Sequence, residues 1–300
     1  MNKIKKGAWV TMITPYTPDG KIDYAACGRL VEWYIESGLA GIFAVCQSSE
    51  MFFLTREERL ALARFVIQKA AGRISVVVSG HVSDTVEEQT EELCQMAELD
   101  PDAVVLISNR LVVSGEKNFI SNCETIVRAM PKHMPLGMYE CPFPEKRLLK
   151  HDEISYLNST GRFLFVKDTC CDIDEMRARA KLISNDFMFF NANSATLYES
   201  LKAGFAGYCG VMANFHPQLY AWLCGHIEEE KAQFISRVLG VMSVIEARDY
   251  PVCAKRYLKN QLGFPVTELS RSKRANFVPA IDQELEGIKT LTDYAESLIK

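Results

Sequence analysis

A lysine ends a run of apolar residues in the stretch Phe163–Lys167. Such a run is typical of a buried strand of a parallel sheet. A lysine at the end of the strand can simply extend its ammonium group into solvent. It can also be kept neutral by burial, and a neutral amine attacks the carbonyl carbon of a ketone to form a Schiff base. The residue type and its position make Lys167 a candidate nucleophile.

A tyrosine, Tyr139, ends another apolar run, Leu136–Tyr139. Formation and collapse of a carbinolamine require a proton carrier, and a phenol hydroxyl beside the amine can supply one. Asp168 would oppose this chemistry if it paired with the lysine, but adjacent residues of a strand point to opposite faces. We therefore expect Asp168 to face away and predict Lys167 and Tyr139 as the catalytic pair.

A polar turn, Gln47-Ser48-Ser49, follows a third apolar run. Hydroxyls and backbone N–H groups just after a strand commonly hold a carboxylate. The turn is therefore predicted to contribute to substrate binding.

The elements that must position these residues alternate regularly between strand-like and helical patterns. Eight such units, at a spacing of roughly thirty residues, predict the α/β class and a closed (β/α)₈ TIM barrel. An open doubly wound sheet is the alternative, but no G-x-G-x-x-G follows the first strand. In a barrel, the carboxyl ends of all strands meet at one mouth, so residues far apart in sequence can share one site. The predicted strands are Ala8–Ile13, Gly41–Val45, Ile74–Val78, Ala103–Ile107, Leu136–Tyr139, Phe163–Lys167, Phe187–Phe190 and Gly207–Val211.

Only helical patterns follow Pro217. We therefore predict a catalytic barrel domain over residues 1–225 and a C-terminal helical region over 226–300. The basic cluster Ser270–Arg274 within that region is expected to be a solvated loop.

The composition favours a small-molecule partner. The 300 residues are 48% apolar, enough for a large core, and the net charge of −4 offers no field that attracts nucleic acid or an anionic membrane. Ten cysteines without a C-x-x-C pair indicate reduced thiols and a cytoplasmic protein. The histidines lack metal-ligand spacing, so neither a metal nor another cofactor is expected.

These motifs, in this order, resemble the dihydrodipicolinate synthase and N-acetylneuraminate lyase family of class I, pyruvate-dependent aldolases. The resemblance implies that Lys167 forms a Schiff base, that Tyr139 relays protons and that the Ser48-Ser49 turn binds the carboxylate of a 2-oxo acid. It further implies an aldehyde as second substrate and a homotetramer built as a dimer of dimers. The motifs are Gly7 with Thr14-Pro15-Tyr16, Glu50-x-x-x-Leu54-Thr55-x-x-Glu58-Arg59, Tyr139-x-x-Pro142, Val166-Lys167-Asp168-Thr169, Gly204-x-x-Gly207, Asn214-x-x-Pro217 and Pro251-x-x-x-Lys255 leading to Gly263.

Departures from the family pattern concern the second substrate. Gln47 and Ser49 stand where relatives carry a threonine or serine and a glycine, and Gln47 cannot relay a proton as those hydroxyls do. Arg110 replaces a tyrosine after the fourth strand, and Pro144 replaces the arginine that holds the carboxylate of aspartate semialdehyde. The chain is therefore not expected to be the lysine-pathway synthase.

Four further polar residues complete the predicted substrate site: Arg110, Glu140, Asn193 and Cys209. Among them, Arg110 and Asn193 together with Gln47 suit a polyhydroxylated 2-oxo acid, such as a 2-keto-3-deoxy sugar acid. Three hypotheses remain open at this point. The chain is a Schiff-base lyase or aldolase, a dehydratase that acts through the same imine, or a non-catalytic protein that binds 2-oxo acids.

Overall fold

Eight parallel strands form a closed barrel in the described part of the computed structural model, which covers residues 4–184, 186–273 and 276–300. Each strand pairs with its neighbours in sequence order, and the last strand closes onto the first with Gly207 opposite Gly7. The predicted (β/α)₈ TIM barrel is confirmed. The strands are β1 (Gly7–Thr11), β2 (Gly41–Ala44), β3 (Ser75–Val78), β4 (Ala103–Ile107), β5 (Leu136–Tyr139), β6 (Phe163–Asp168), β7 (Met188–Asn191) and β8 (Gly207–Gly210).

Helices alternate with these strands and continue beyond them. The helices are α1 (Tyr24–Glu36), α2 (Arg56–Ala70), α3 (Val86–Ala97), α4 (Phe119–Ala129), α5 (His151–Ser159), α6 (Ile173–Ala180), α7 (Leu197–Lys202), α8 (Pro217–Gly225), α9 (Ala232–Met242), α10 (Val252–Leu262) and α11 (Ile281–Ile299). Short 3₁₀ turns lie at Met51–Phe53, Arg110–Val112, Glu116–Asn118, Val211–Asn214 and Ser243–Ala247. None of the helices in the described ranges is both long and apolar enough to cross a bilayer.

The C-terminal helices pack on the barrel. Helix α11 contacts α8, α9 and α10. The helical pattern around Glu229–Ala247 divides into α9 and a 3₁₀ turn that begins at Ser243, whose hydroxyl donates to the Gly240 carbonyl oxygen at 2.8 Å. Such local side-chain bonds compete with regular helix. Helix α8 contacts α9 and α11 across the predicted boundary between residues 225 and 226. The division into two regions at this point remains a prediction.

Large rings fill the barrel interior below its mouth. The ring of Phe190 meets those of Trp9 and Phe165 edge-on, each at 5.8 Å between centroids. Two glycines make room for these rings. A Cβ at Gly41 would lie 2.1 Å from the Trp9 ring, and one at Gly137 would lie 2.3 Å from the Phe165 ring. The interior is therefore a packed core, as expected for this fold, and only its upper end is open to ligands.

Strand β6 places a lysine and an aspartate on opposite faces. Lys167 is in register with Tyr139 of β5, so both side chains lie on the inner face. Asp168 points outward and accepts a hydrogen bond from Nη1 of Arg179 at 2.6 Å. The same atom donates to Glu140 at 2.8 Å. The guanidinium, which is buried, thus neutralises two carboxylates on the outside of the strand ends.

Replacing Arg179 by Met should destabilise the barrel strongly. The substitution leaves the carboxylates of Glu140 and Asp168 buried without a cation, so we expect the free energy of unfolding to fall by about 3–5 kcal/mol. Denaturation in urea measures this loss. The matched control is Arg177→Met on the same helix, where an exposed pair with Asp174 contributes about 1 kcal/mol or less. Equal losses of unfolding free energy in the two variants would contradict the role assigned to Arg179.

Candidate active site

A cavity of about 430 Å³ opens at the carboxyl ends of the strands. Five of the predicted site residues line it: Gln47 and Ser48 after β2, Tyr139 at the end of β5, Lys167 on β6 and Asn193 after β7. The size is typical of small-molecule sites, and the position is the one where this fold carries its chemistry.

Lys167 lies at the base of the cavity, with 3% of its surface exposed. Its Nζ is 3.7 Å from the centroid of the Tyr139 ring. The face of the ring favours an ammonium ion by about 1–2 kcal/mol, whereas removal of a charge from water costs several times more. Burial therefore lowers the pKa of Lys167 below its ordinary value of 10.5. The amine is shifted toward its nucleophilic form.

Three cysteines surround this amine: Cys46, Cys141 and Cys209. Their thiolates would raise the pKa of Lys167, but burial raises the pKa of each thiol, to about 11 for Cys141 and about 12 for Cys209. At neutral pH the three groups are uncharged and do not hold a proton on the lysine. Cys209 was predicted to bind substrate, but its side chain is buried beside the amine and does not line the cavity.

The Tyr139 hydroxyl donates a hydrogen bond to Oε1 of Gln47 at 3.3 Å. The Tyr139 ring also meets Phe43 edge-on at 5.7 Å, so its orientation is set by two contacts. Burial raises the pKa of the phenol well above 10. Tyr139 is therefore a neutral donor beside the lysine, and the Gln47 amide orients the hydroxyl without being able to take its proton.

The two serines of the turn have different roles. Ser48 lines the cavity, donates to Oγ1 of Thr11 at 3.1 Å and also interacts with the Tyr250 hydroxyl. Ser49 donates its hydroxyl to the Met12 carbonyl oxygen at 2.6 Å and is 1% exposed. Ser49, which was predicted to bind substrate, does not line the cavity, because its hydroxyl holds the turn to β1.

Arg110 does not reach the cavity either. After β4 the chain enters the 3₁₀ turn that begins at Arg110, which carries the side chain toward the loop after β3. There the guanidinium pairs with Asp84 and donates to the Ser83 carbonyl oxygen at 3.0 Å. The prediction that Arg110 contacts the substrate is therefore corrected.

Glu140 was also predicted to orient the substrate, but it follows Tyr139 and faces the other side of the strand. Its carboxylate accepts hydrogen bonds at 2.8 Å from the backbone N–H groups of Leu149 and Thr169, besides the bond from Arg179. Burial, with Asp168 nearby, raises the pKa of Glu140. The residue supports the loops around the mouth and has no free oxygen directed into the cavity.

Asn193 lines the cavity, but the oxygen of its side-chain amide already accepts hydrogen bonds. Its Oδ1 accepts hydrogen bonds from the backbone N–H and the hydroxyl of Thr196, at 3.0 and 3.1 Å. Asn193 can therefore offer a ligand only its amide NH₂ group.

Sequence analysis missed the C-terminal contribution to the site. Tyr250, Ser272 and Lys273 line the cavity, although they lie over eighty residues beyond β6 in the sequence. Only the motif Pro251-x-x-x-Lys255 pointed to this region. Glu246 also lines the cavity, where burial raises the pKa of its carboxyl and Lys167 opposes the shift.

The buried carboxylate of Glu50 holds this segment over the mouth. It pairs with Nζ of Lys255 at 2.9 Å and accepts hydrogen bonds from the hydroxyl of Ser270 and the backbone N–H groups of Arg271 and Ser272, at 2.6–2.8 Å. The expectation of a solvated loop is therefore wrong for residues 270–272. Arg274, the last residue of that basic cluster, lies outside the described residues.

No group of three or more His, Cys, Asp or Glu side chains that could hold a metal ion occurs within the described ranges. The charged side chains at the cavity are Lys167 at its base and Lys146, Glu246 and Lys273 nearer its opening, together with the paired Glu50. The described residues of the cavity offer the buried amine of Lys167, the phenols of Tyr139 and Tyr250 and a few further hydrogen-bond donors.

The model of the dihydrodipicolinate synthetase family matches residues 5–289. The chain belongs to this family. Among curated dihydrodipicolinate synthetase relatives, a 4-hydroxy-tetrahydrodipicolinate synthase of Shewanella sp. (strain ANA-3) is 24% identical over 276 residues, which cover 88% of this chain and 92% of the relative. Membership makes the chain an enzyme of the lyase and aldolase class.

Solved structures of dihydrodipicolinate synthetase-like proteins share the fold. Dihydrodipicolinate synthase from Bacillus anthracis superposes with a TM-score of 0.86 at 20% identity and covers 96% of this chain and 98% of its own. Wild-type sialic acid aldolase from Ruminococcus gnavus gives a TM-score of 0.86 at 16% identity and covers 99% of this chain and 100% of its own.

Replacing Glu50 by Gln should loosen the C-terminal segment of this dihydrodipicolinate synthetase homologue. The ammonium of Lys255 would remain buried without a carboxylate, so we expect a loss of about 3–5 kcal/mol in unfolding free energy. Faster hydrogen exchange at the amides of Arg271 and Ser272 is expected as well. Glu268→Gln, in a partly exposed pair with Arg256, is the control and should cost about 1 kcal/mol or less. Unchanged exchange at both amides would contradict the role of Glu50.

Proposed function

We propose that this chain is a Schiff-base-forming lyase of the class I aldolase type, acting on pyruvate or a related 2-oxo acid. The observation that carries the proposal is the buried amine of Lys167, 3.7 Å from the Tyr139 ring centroid at the base of the cavity. Its pKa is lowered by burial, and Asp168 is directed to the other side of the strand. Such an amine is suited to attack a ketone.

The reaction begins when Nζ of Lys167 attacks the keto carbon of the 2-oxo acid. The carbinolamine takes up a proton on its oxygen, loses water and becomes the imine, with Tyr139 as the proton carrier. Loss of a proton from C3 of the imine yields an enamine. The enamine carbon then attacks the aldehyde, and hydrolysis of the imine releases the product, while the reverse sequence cleaves it.

The carboxylate of the 2-oxo acid is assigned to the Ser48 side of the cavity. Ser48 is the one serine of the turn whose side chain lines the cavity, and the Tyr250 hydroxyl lies beside it. Anchoring the acid there would orient the keto carbon toward the amine and reduce the entropy cost of attack.

The proposal includes an activity other than that of the lysine-pathway synthase. Pro144 offers no guanidinium, and Arg110 is paired with Asp84 outside the cavity. For a 2-keto-3-deoxy sugar acid, only Gln47 and Asn193 remain of the polar set predicted to bind its hydroxyls. A homotetramer and a cytoplasmic location, implied by the family resemblance and the reduced thiols, are parts of the same proposal.

Incubation with pyruvate and borohydride should reduce the imine to a stable adduct on Lys167. Peptide mass analysis locates the adduct, and Lys167→Met should abolish it because no other amine lies at the base of the cavity in the described residues. Lys202→Met, at an exposed lysine of α7, is the control and should keep the adduct. An unmodified Lys167 would overturn the proposed Schiff-base chemistry.

Replacing Tyr139 by Phe should slow imine formation by roughly 10²–10⁴-fold, because the carbinolamine loses its proton carrier. Rapid-quench trapping with borohydride measures the rate. Tyr294→Phe, at an exposed tyrosine of α11, is the matched control and should have no effect. Rates within a factor of two of the unmodified enzyme would remove Tyr139 from the relay.

A further inference from the structure

Three phenylalanines form an aromatic wall at the opening of the cavity: Phe52, Phe53 and Phe143. The first two follow β2 and the third follows β5, so the wall joins two loops across the mouth. Phe143 meets Phe52 at 4.9 Å and Phe53 at 6.0 Å between ring centroids. Phe53 and Phe143 are 41% and 36% exposed. Exposed aromatic surface at a binding site favours a ligand that covers it.

Few of the polar groups predicted to bind a polyhydroxylated chain are free at this opening, although Lys146, Glu246 and Lys273 also line it. The Gln47 oxygen accepts from Tyr139, the Asn193 oxygen accepts from Thr196, and Arg110 lies elsewhere. Each sugar hydroxyl buried without a partner costs about 1–3 kcal/mol. A hydroxylated chain packed against the three phenylalanine rings, which offer no hydrogen-bond partner, would therefore leave hydroxyls unpaired.

From these contacts we propose that the second substrate is an aryl aldehyde, whose ring packs against the aromatic wall. This inference rests on the proposed Schiff-base function. Pyruvate is far smaller than a cavity of about 430 Å³, so room for a ring remains above the imine. Stacked or edge-to-face ring pairs add about 0.5–1.5 kcal/mol beyond the burial of apolar surface.

The coupling step balances without an oxidant or reductant. The enamine carbon derived from C3 of pyruvate forms a bond to the aldehyde carbon, and the aldehyde oxygen takes up a proton. Water then hydrolyses the imine and frees Lys167. The product is a 4-aryl-4-hydroxy-2-oxo acid whose mass is the sum of the two substrates.

The test compares benzaldehyde with glyceraldehyde as partners of pyruvate, with the product quantified by liquid chromatography and mass spectrometry. We expect kcat/KM for benzaldehyde to be about tenfold or more above that for glyceraldehyde. Phe143→Ala should lower the benzaldehyde value about tenfold and the glyceraldehyde value by much less. Phe234→Ala, at an exposed phenylalanine of α9, is the matched control and should change neither.

The outcomes separate the two proposals. If the pyruvate adduct forms on Lys167 but glyceraldehyde is used as well as or better than benzaldehyde, the aryl-aldehyde inference fails and the Schiff-base function stands. If no adduct forms, the proposed function fails first. A thermal melt of Phe143→Ala, together with its adduct yield, shows whether lost activity reflects misfolding. An equal loss for both aldehydes in a folded variant would also overturn the inference.

Discussion

The site depends on the placement of an amine and a carboxylate on opposite faces of a single strand. On β6, Lys167 faces the cavity and Asp168 faces outward, where Arg179 neutralises it together with Glu140. Without the guanidinium, two buried carboxylates would act on the lysine from behind and favour its ammonium form. The geometry of the outer layer therefore helps to keep the inner amine unpaired.

Much of the fold and the centre of the site could be predicted from the sequence, for a clear physical reason. Parallel strands that are buried on both faces read as apolar runs, so a polar residue at the end of a run indicates the barrel mouth. Tyr139 and Lys167 were found in this way, and their register on β5 and β6 follows from the fold. Gln47 and Ser48 were found because they directly follow β2.

The other site residues could not be assigned correctly, because sequence spacing does not show where a side chain points. Arg110 was misassigned because a 3₁₀ turn redirects the chain immediately after β4. Glu140 and Cys209 lie beside the cavity, but only side-chain direction separates lining residues from supporting ones. Ser49 has the right residue type, yet its hydroxyl binds the Met12 carbonyl oxygen.

The bond network of Glu50 ties the first quarter of the chain to its last. Proteins are synthesised from the N-terminus, and early segments begin to fold first. The barrel strands can therefore assemble on the ribosome, while Glu50 still lacks Lys255 and the amides of Arg271 and Ser272. The mouth of the cavity is completed only after those residues emerge, so a nascent chain that already holds the Lys167 amine does not yet have a finished binding site.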